Sequence, residues 1–284
     1  MIGSIESPGL RDWFIPPAWM ITLSKLAYRI RNSEEIRLLA RNREWAGRHA
    51  DRKRCFVVGN GPSLKTQDLR LLAGETVIVA NSFFQHPDHH VVAPRYYCIG
   101  DKEFVADKPN SLAWLKELEA AMPDNTNLFV SPHARSTFSK YGLFQKQGVY
   151  YVGHVRIART ASAVSVDFTQ PLNVGFSTGT GYAIPLALYL GFREVYLIGF
   201  DANWFKDIHN EPLHFYETNK HFPHFDRTST EGHSMEFLFN SSYLEFVSHR
   251  LLRDKAASMG AKILNATNGG WLDMYPRVQY ESLF

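Results

Sequence analysis

From Arg54 onward the chain alternates short, uninterrupted apolar runs with stretches whose apolar positions recur at helical spacing. The runs "CFVVG" (55–59), "TVIVAN" (76–81), "RYYCIGD" (95–101), "NLFVSP" (127–132), "EVYLIGFD" (194–201) and "AKILNAT" (261–267) predict strands. "GTGYAIPLALYLG" (179–191) predicts a helix, and the segment from Ser234 to Gly260 predicts a long amphipathic helix closed by that glycine. A strand that is apolar at every position is buried on both faces. Six of them alternating with helices predict an α/β fold with a mostly parallel sheet, forming a single domain over residues 51–284.

Two segments break the pattern. Residues 1 to about 50 read as a helical N-terminal segment ending in the charged run "RNREWAGRHADRKR", expected to be a solvated face. Within it, Trp13, Phe14, Ile15, Trp19, Met20, Ile21 and Leu23 mix with Arg11, Lys25, Arg29 and Arg31. That mixture suits either a helix lying in a membrane interface through residues 11–31 or a helix packed on the domain or on a second copy of the chain. The region from about 202 to 233 has little periodicity, carries His209, His214, His221, His224 and His233, and is too long for an ordinary connection. It reads as a lid.

Ligands of open parallel sheets sit at the carboxyl ends of the strands. The residues that follow the predicted strands are Gly59-Asn60-Gly61-Pro62-Ser63, Asn81-Ser82, Gly100-Asp101, Gly199-Phe200-Asp201, and Asn265 to Gly270 with Asn268 among them. Most are small or polar, and they gather at one edge. Gly59 and Gly61 permit close approach, Asn60 offers a donor and an acceptor, and Ser63 is placed to cap a following helix whose N-terminus would favour an anion. The loop matches neither the nucleotide P-loop nor the G-x-G-x-x-G fingerprint. Ser177, Thr178 and Gly179 make a second small-residue helix entry of the same chemical kind.

Composition narrows the choices. The 284 residues are 45% hydrophobic and 21% charged, which is ordinary for a globular chain, and a net charge of +3 argues against a nucleic-acid partner. Cys55 and Cys98 lie inside apolar runs and read as core thiols of a reducing compartment. No run is long enough to span a bilayer and the start carries no secretion signal, so the expected location is cytoplasmic, with the inner face of the membrane as the site of any peripheral contact. His221 and His224 have a loose metal-ligand spacing without cysteine or acidic support, so no metal and no cofactor is expected.

Taken together, these elements resemble the bacterial sialyltransferases of glycosyltransferase family 42 and the wider superfamily around them. That family opens on G-N-G-P-S-L, here Gly59 to Leu64, and has an Asn after its second strand, here Asn81. It also has a T-S-G-like helix entry, an L-G-x-x-E-[IV]-Y-L-x-G-x-D run matched by Leu190 to Asp201, and a G-H-S matched by Gly232, His233 and Ser234. The resemblance implies a Rossmann-like nucleotide-sugar-binding domain. It also implies a CMP-activated nine-carbon acid sugar as donor, a glycan or lipid-linked acceptor, and metal-independent inverting transfer.

On that resemblance His233 is the base and the donor is held by Asn60, Gly61, Ser63, Asn81, Ser177, Thr178 and Gly179, while Gly59, Asp101, Asp201 and Asn268, at the same strand ends, are further candidate substrate contacts. The family's leaving-phosphate tyrosines are replaced by Ala202, Asn203, Trp204 and Phe205, with Tyr216 the nearby substitute. Its arginine before the helix entry is replaced by Val174, Gly175 and Phe176. The C-terminal run from Ile263 resembles flagellin-modifying proteins and archaeal 6-hydroxymethylpterin diphosphokinases. This supplies a magnesium-dependent pyrophosphokinase alternative on Asp101 and Asp201. A nucleotide-sugar-binding module without catalysis is the third reading.

Overall fold

The computed structural model describes residues 17–155, 157–158, 160–175, 177–203 and 235–284. Seven strands form one sheet: β1 (Arg54–Val58), β2 (Val77–Ala80), β3 (Tyr96–Ile99), β4 (Asn127–Val130), β5 (Gly148–Tyr151), β6 (Glu194–Ile198) and β7 (Lys262–Asn265). Their spatial order is β5-β4-β3-β2-β1-β6-β7 and every pairing is parallel. The helices are α1 (Pro17–Arg31), α2 (Ser33–Ala40), α3 (His89–Val92), α4 (Pro109–Ala121), α5 (Ala134–Tyr141), α6 (Ile184–Tyr189) and α7 (Met235–Ser258). The chain is thus an α/β fold of Rossmann-like type.

Why the strands are apolar throughout is plain from their neighbours. Cys55 and Val57 of β1 face a core with Ile184, Leu186, Leu251 and Leu252, while Phe56 and Val58 face a second core with Trp114, Leu115 and Tyr280. Each strand residue therefore buries its side chain whichever way it points, and polar alternation has no place. The thiols of Cys55 and Cys98 lie inside this sheet, and burial pushes both upward from their ordinary values.

Two expectations are corrected here. β5 is a seventh strand: its sequence, Gly-Val-Tyr-Tyr, is half-buried at the sheet edge and lacks the long apolar run that marks the others. The charged run after α2 is not simply a solvated face. Asn42 and Trp45 are buried, and Asn42 Nδ2 donates to the carbonyls of Tyr151 and Phe168. Trp45 meets Tyr96 and Tyr150 edge-to-face at 5.6 and 5.2 Å. Its arginines reach solvent while every third or fourth residue closes one face of the core.

The chain builds outward from β1 through β2, β3, β4 and β5, then crosses back to lay β6 on the other side of β1. The order reverses between β1 and β6, the place where such sheets open a crevice beyond their carboxyl ends. Val58 stands level with both Ile198 and Val79, so the loops after β1, β2 and β6 leave the sheet side by side.

Candidate functional site

The loop after β1 lies against the loop after β6. The Gly61 amide donates to Gly199 O at 3.0 Å. Ser63 donates twice to Asp201, from its amide to Oδ1 at 3.2 Å and from its hydroxyl to Oδ2 at 2.8 Å. Burial pushes the Asp201 carboxyl up, while the Ser63 bonds and the charge of Arg277 oppose that shift. Two readings of this loop change. Pro62–Thr66 is a single 3₁₀ turn rather than a helix, so it offers little macrodipole to an anion, and Ser63 sits inside the turn bonded to Asp201 instead of capping it. Asp201 is a brace between two loops.

Asn60 is held differently. Its Nδ2 donates to Ala80 O at the end of β2, at 2.8 Å, which leaves Oδ1 buried without a protein partner. A buried acceptor left unmet costs about 1–3 kcal/mol, which a ligand N–H or O–H reaching it would recover.

After β2, Asn81 takes a left-handed backbone, φ 49°, a conformation asparagine tolerates better than most residues. It is fixed there by Tyr97, whose hydroxyl donates to Asn81 O at 2.6 Å. Thr178 Oγ1 donates to Asn81 Oδ1 at 3.1 Å and accepts from the Gly100 amide at 3.2 Å, so one hydroxyl ties together the ends of β2 and β3 and the helix entry. Gly100 is the residue that permits this. A Cβ there would stand 2.7 Å from the Thr178 hydroxyl. Beside it, Asp101 accepts from the Glu103 amide at 2.9 Å, and burial raises its carboxyl from the usual range.

The helix entry begins as a π-turn, Gly179–Ala183, that runs into α6. Such turns are rare and frequent at functional sites. It is clamped from behind. His154, half-buried, lies 3.0 Å from Gly181 O, and desolvation lowers its pKa to about 4. Ser177 is exposed, yet its amide and hydroxyl are both directed to Glu245 of α7.

Asn268 lies at the rim, its Nδ2 donating to Thr66 Oγ1 at 3.0 Å and its amide to Gln67 Oε1 at 3.3 Å. The sheet therefore brings Gly59, Asn60, Gly61, Ser63, Asn81, Asp101, Thr178, Gly179 and Asp201 to one edge. Ser177 faces partly away from it and Asn268 stands at the margin. His233, Tyr216 and the other lid histidines lie outside the described residues, as does the proposed G-H-S. Among the described residues no group of three or more His, Cys, Asp or Glu is placed to hold a metal ion.

Sequence reasoning missed Glu245 and His154. Glu245 had a signal: Ser242, Glu245, His249, Leu252 and Ala256 share the buried stripe of α7, and a carboxylate in such a stripe needs partners. His154 had none, because a lone histidine after a strand is undiagnostic. No protein-family model matches the chain, and no curated protein matches it.

Proposed function

We propose that this protein transfers an acid sugar from a CMP-activated donor to a hydroxyl of a glycan or lipid-linked acceptor, with inversion and without a metal. The observation that carries the reading is the small-residue loop after β1, where Asn60, tied to the end of β2, keeps a buried carbonyl oxygen with no hydrogen-bond partner. An unmet acceptor suits an amino or hydroxyl group of a nucleoside better than it suits a phosphate. The phosphate then falls to the neighbouring Thr178–Gly179 entry, where backbone amides begin a helical segment.

In the transfer, the acceptor oxygen forms a bond to the anomeric carbon as the bond from that carbon to the CMP phosphate oxygen breaks. The acceptor proton goes to a base, the role given to His233, and CMP leaves with the electron pair. Tyr216 is the residue offered to the leaving phosphate. Asp201, half of the pair a magnesium-dependent pyrophosphokinase would draw on, spends both carboxylate oxygens on Ser63, which favours the metal-independent reading.

Thermal-shift measurements with CMP, UMP, ATP and GTP, each with and without Mg²⁺, test this choice. Stabilisation by CMP that does not depend on metal supports the transferase. Stabilisation by ATP that requires Mg²⁺ would favour the pyrophosphokinase.

A further inference from the structure

We propose that Glu245 of α7 is a positioning residue that sets the Ser177–Thr180 turn for the anionic part of the ligand. The inference rests on the reading of that turn as part of the donor site. The residue is 4% exposed, in a buried helix stripe shared with Ser242, His249, Leu252 and Ala256. Its carboxylate takes three donors from one turn: the Ser177 amide at 3.2 Å, the Ser177 hydroxyl at 2.7 Å and the Thr180 hydroxyl at 2.8 Å.

Attaching a helix does not require this. A buried carboxylate is desolvated at considerable cost, and apolar side chains in place of the carboxylate and its partners together commonly pack as well or better. What the carboxylate adds is direction. It fixes the Ser177 rotamer, and Ser177 Oγ in turn accepts from the Thr180 amide at 3.3 Å while Ser177 O accepts from Gly181 at 2.8 Å. With those groups fixed, Thr178 lies between Asn81 and Gly100.

The same helix braces the turn a second way. His249, one turn beyond Glu245, lies 3.5 Å from its Oε1 through Nε2 and 3.0 Å from the Tyr275 hydroxyl through Nδ1. Its ring meets Phe200 edge-on at 6.0 Å, and Phe200 lies against Gly179, where a Cβ would stand 2.7 Å from its ring. One face of α7 thus holds the turn at Ser177 and Thr180 through Glu245, and at Gly179 through His249 and Phe200.

The test uses the full chain and two variants, Glu245→Met, which fills the volume, and Glu245→Gln, which keeps an acceptor. CMP affinity, melting temperature and amide exchange over residues 177–181 are measured for each. Glu245→Met is expected to melt somewhat below the wild type, because the Ser177 and Thr180 donors lose their acceptor, but also to weaken CMP about tenfold or more and to exchange its turn amides faster, with Glu245→Gln recovering most of the affinity. A merely structural role would move melting temperature and leave affinity alone. If Glu245→Met folds and binds CMP as the wild type does, or if its turn amides exchange at the wild-type rate, the inference is wrong. Should the wild type itself not bind CMP, the donor reading fails, and the exchange comparison still decides whether Glu245 positions the turn.

Discussion

Gly61→Ala is the sharpest perturbation of the contact between the β1 and β6 loops. The backbone at Gly61 is ordinary, φ −64° and ψ 157°, so alanine meets no torsional penalty and the whole cost is space. A Cβ there would lie 2.7 Å from Gly199 O and 2.7 Å from Asp201 Cγ, with Asp201 Oδ2 nearer still. The backbone oxygen cannot swing away, because the Gly61 amide itself donates to it. Asp201 cannot yield freely either: it is 7% exposed, bonded twice to Ser63, and its carbonyl accepts from the Trp271 amide at 2.7 Å.

Either the two loops separate or Asp201 abandons Ser63. Overpacking costs about 1–3 kcal/mol, and losing hydrogen bonds to a carboxylate about 1.5–3 kcal/mol. Either route predicts a loss of roughly 1–3 kcal/mol, which in a chain of this size lowers the melting temperature by about 2–6 °C. Urea denaturation of Gly61→Ala, Asp201→Ala and the double variant measures it. The double variant is expected to lose less than the two singles combined, since alanine at 201 vacates the space that Gly61→Ala needs. A Gly61→Ala protein as stable as wild type, or costs that simply add, would refute the reasoning.

Other consequences follow from the same geometry. His249 and His154 are held neutral by burial, with pKa values lowered to about 3 and about 4 from 6.5, so the unfolded chain binds protons that the fold refuses. Stability should therefore be full above pH 6.5 and fall as pH drops toward 4, at up to about 3 kcal/mol per pH unit with both in play. The raised carboxyls of Glu245, Asp101 and Asp201 work in the opposite sense, holding protons that the unfolded chain releases, and flatten the acid limb. Urea midpoints between pH 4 and 7 check the sign. Asn60→Ala should weaken CMP by roughly 1–3 kcal/mol without lowering the melting temperature; unchanged CMP affinity in isothermal titration would remove the asparagine from the site. On α1, Trp19, Leu23, Leu26 and Ile30 are 68%, 47%, 51% and 73% exposed on one face, beside Arg29 and Arg31. Leu23→Asp with Ile30→Asp should abolish sedimentation with anionic vesicles at unchanged stability; retention on the vesicles would argue against membrane contact through this face.

The sheet was legible because double-sided burial leaves a signature no turn or surface helix imitates. The strand-end residues were legible because topology puts all the carboxyl ends of a parallel sheet at one edge. β5 escaped because an edge strand is buried on fewer sides and needs fewer apolar residues. What single positions do was less legible. Asp201 reads as a ligand contact in sequence and acts as a brace, since only three-dimensional proximity joins it to Ser63, 138 residues away. Glu245 escaped for a related reason: its place in the buried stripe of α7 shows that it needs partners, but Ser177 and Thr180 lie 65 or more residues away along the chain. The N-terminal helix was half legible. Its amphipathicity was plain, but not that Met20 and Ile21 turn inward while Trp19 and Leu23 turn out.

The most direct test of the central claim is release of CMP from a CMP-linked nine-carbon acid sugar in the presence of EDTA, measured for the wild type and for His233→Ala. Metal-independent CMP release by the wild type is expected, with a rate lower by roughly 10² to 10⁴ in His233→Ala and CMP affinity nearly unchanged. No release by the wild type with or without acceptor, or release at the same rate in His233→Ala, would contradict it.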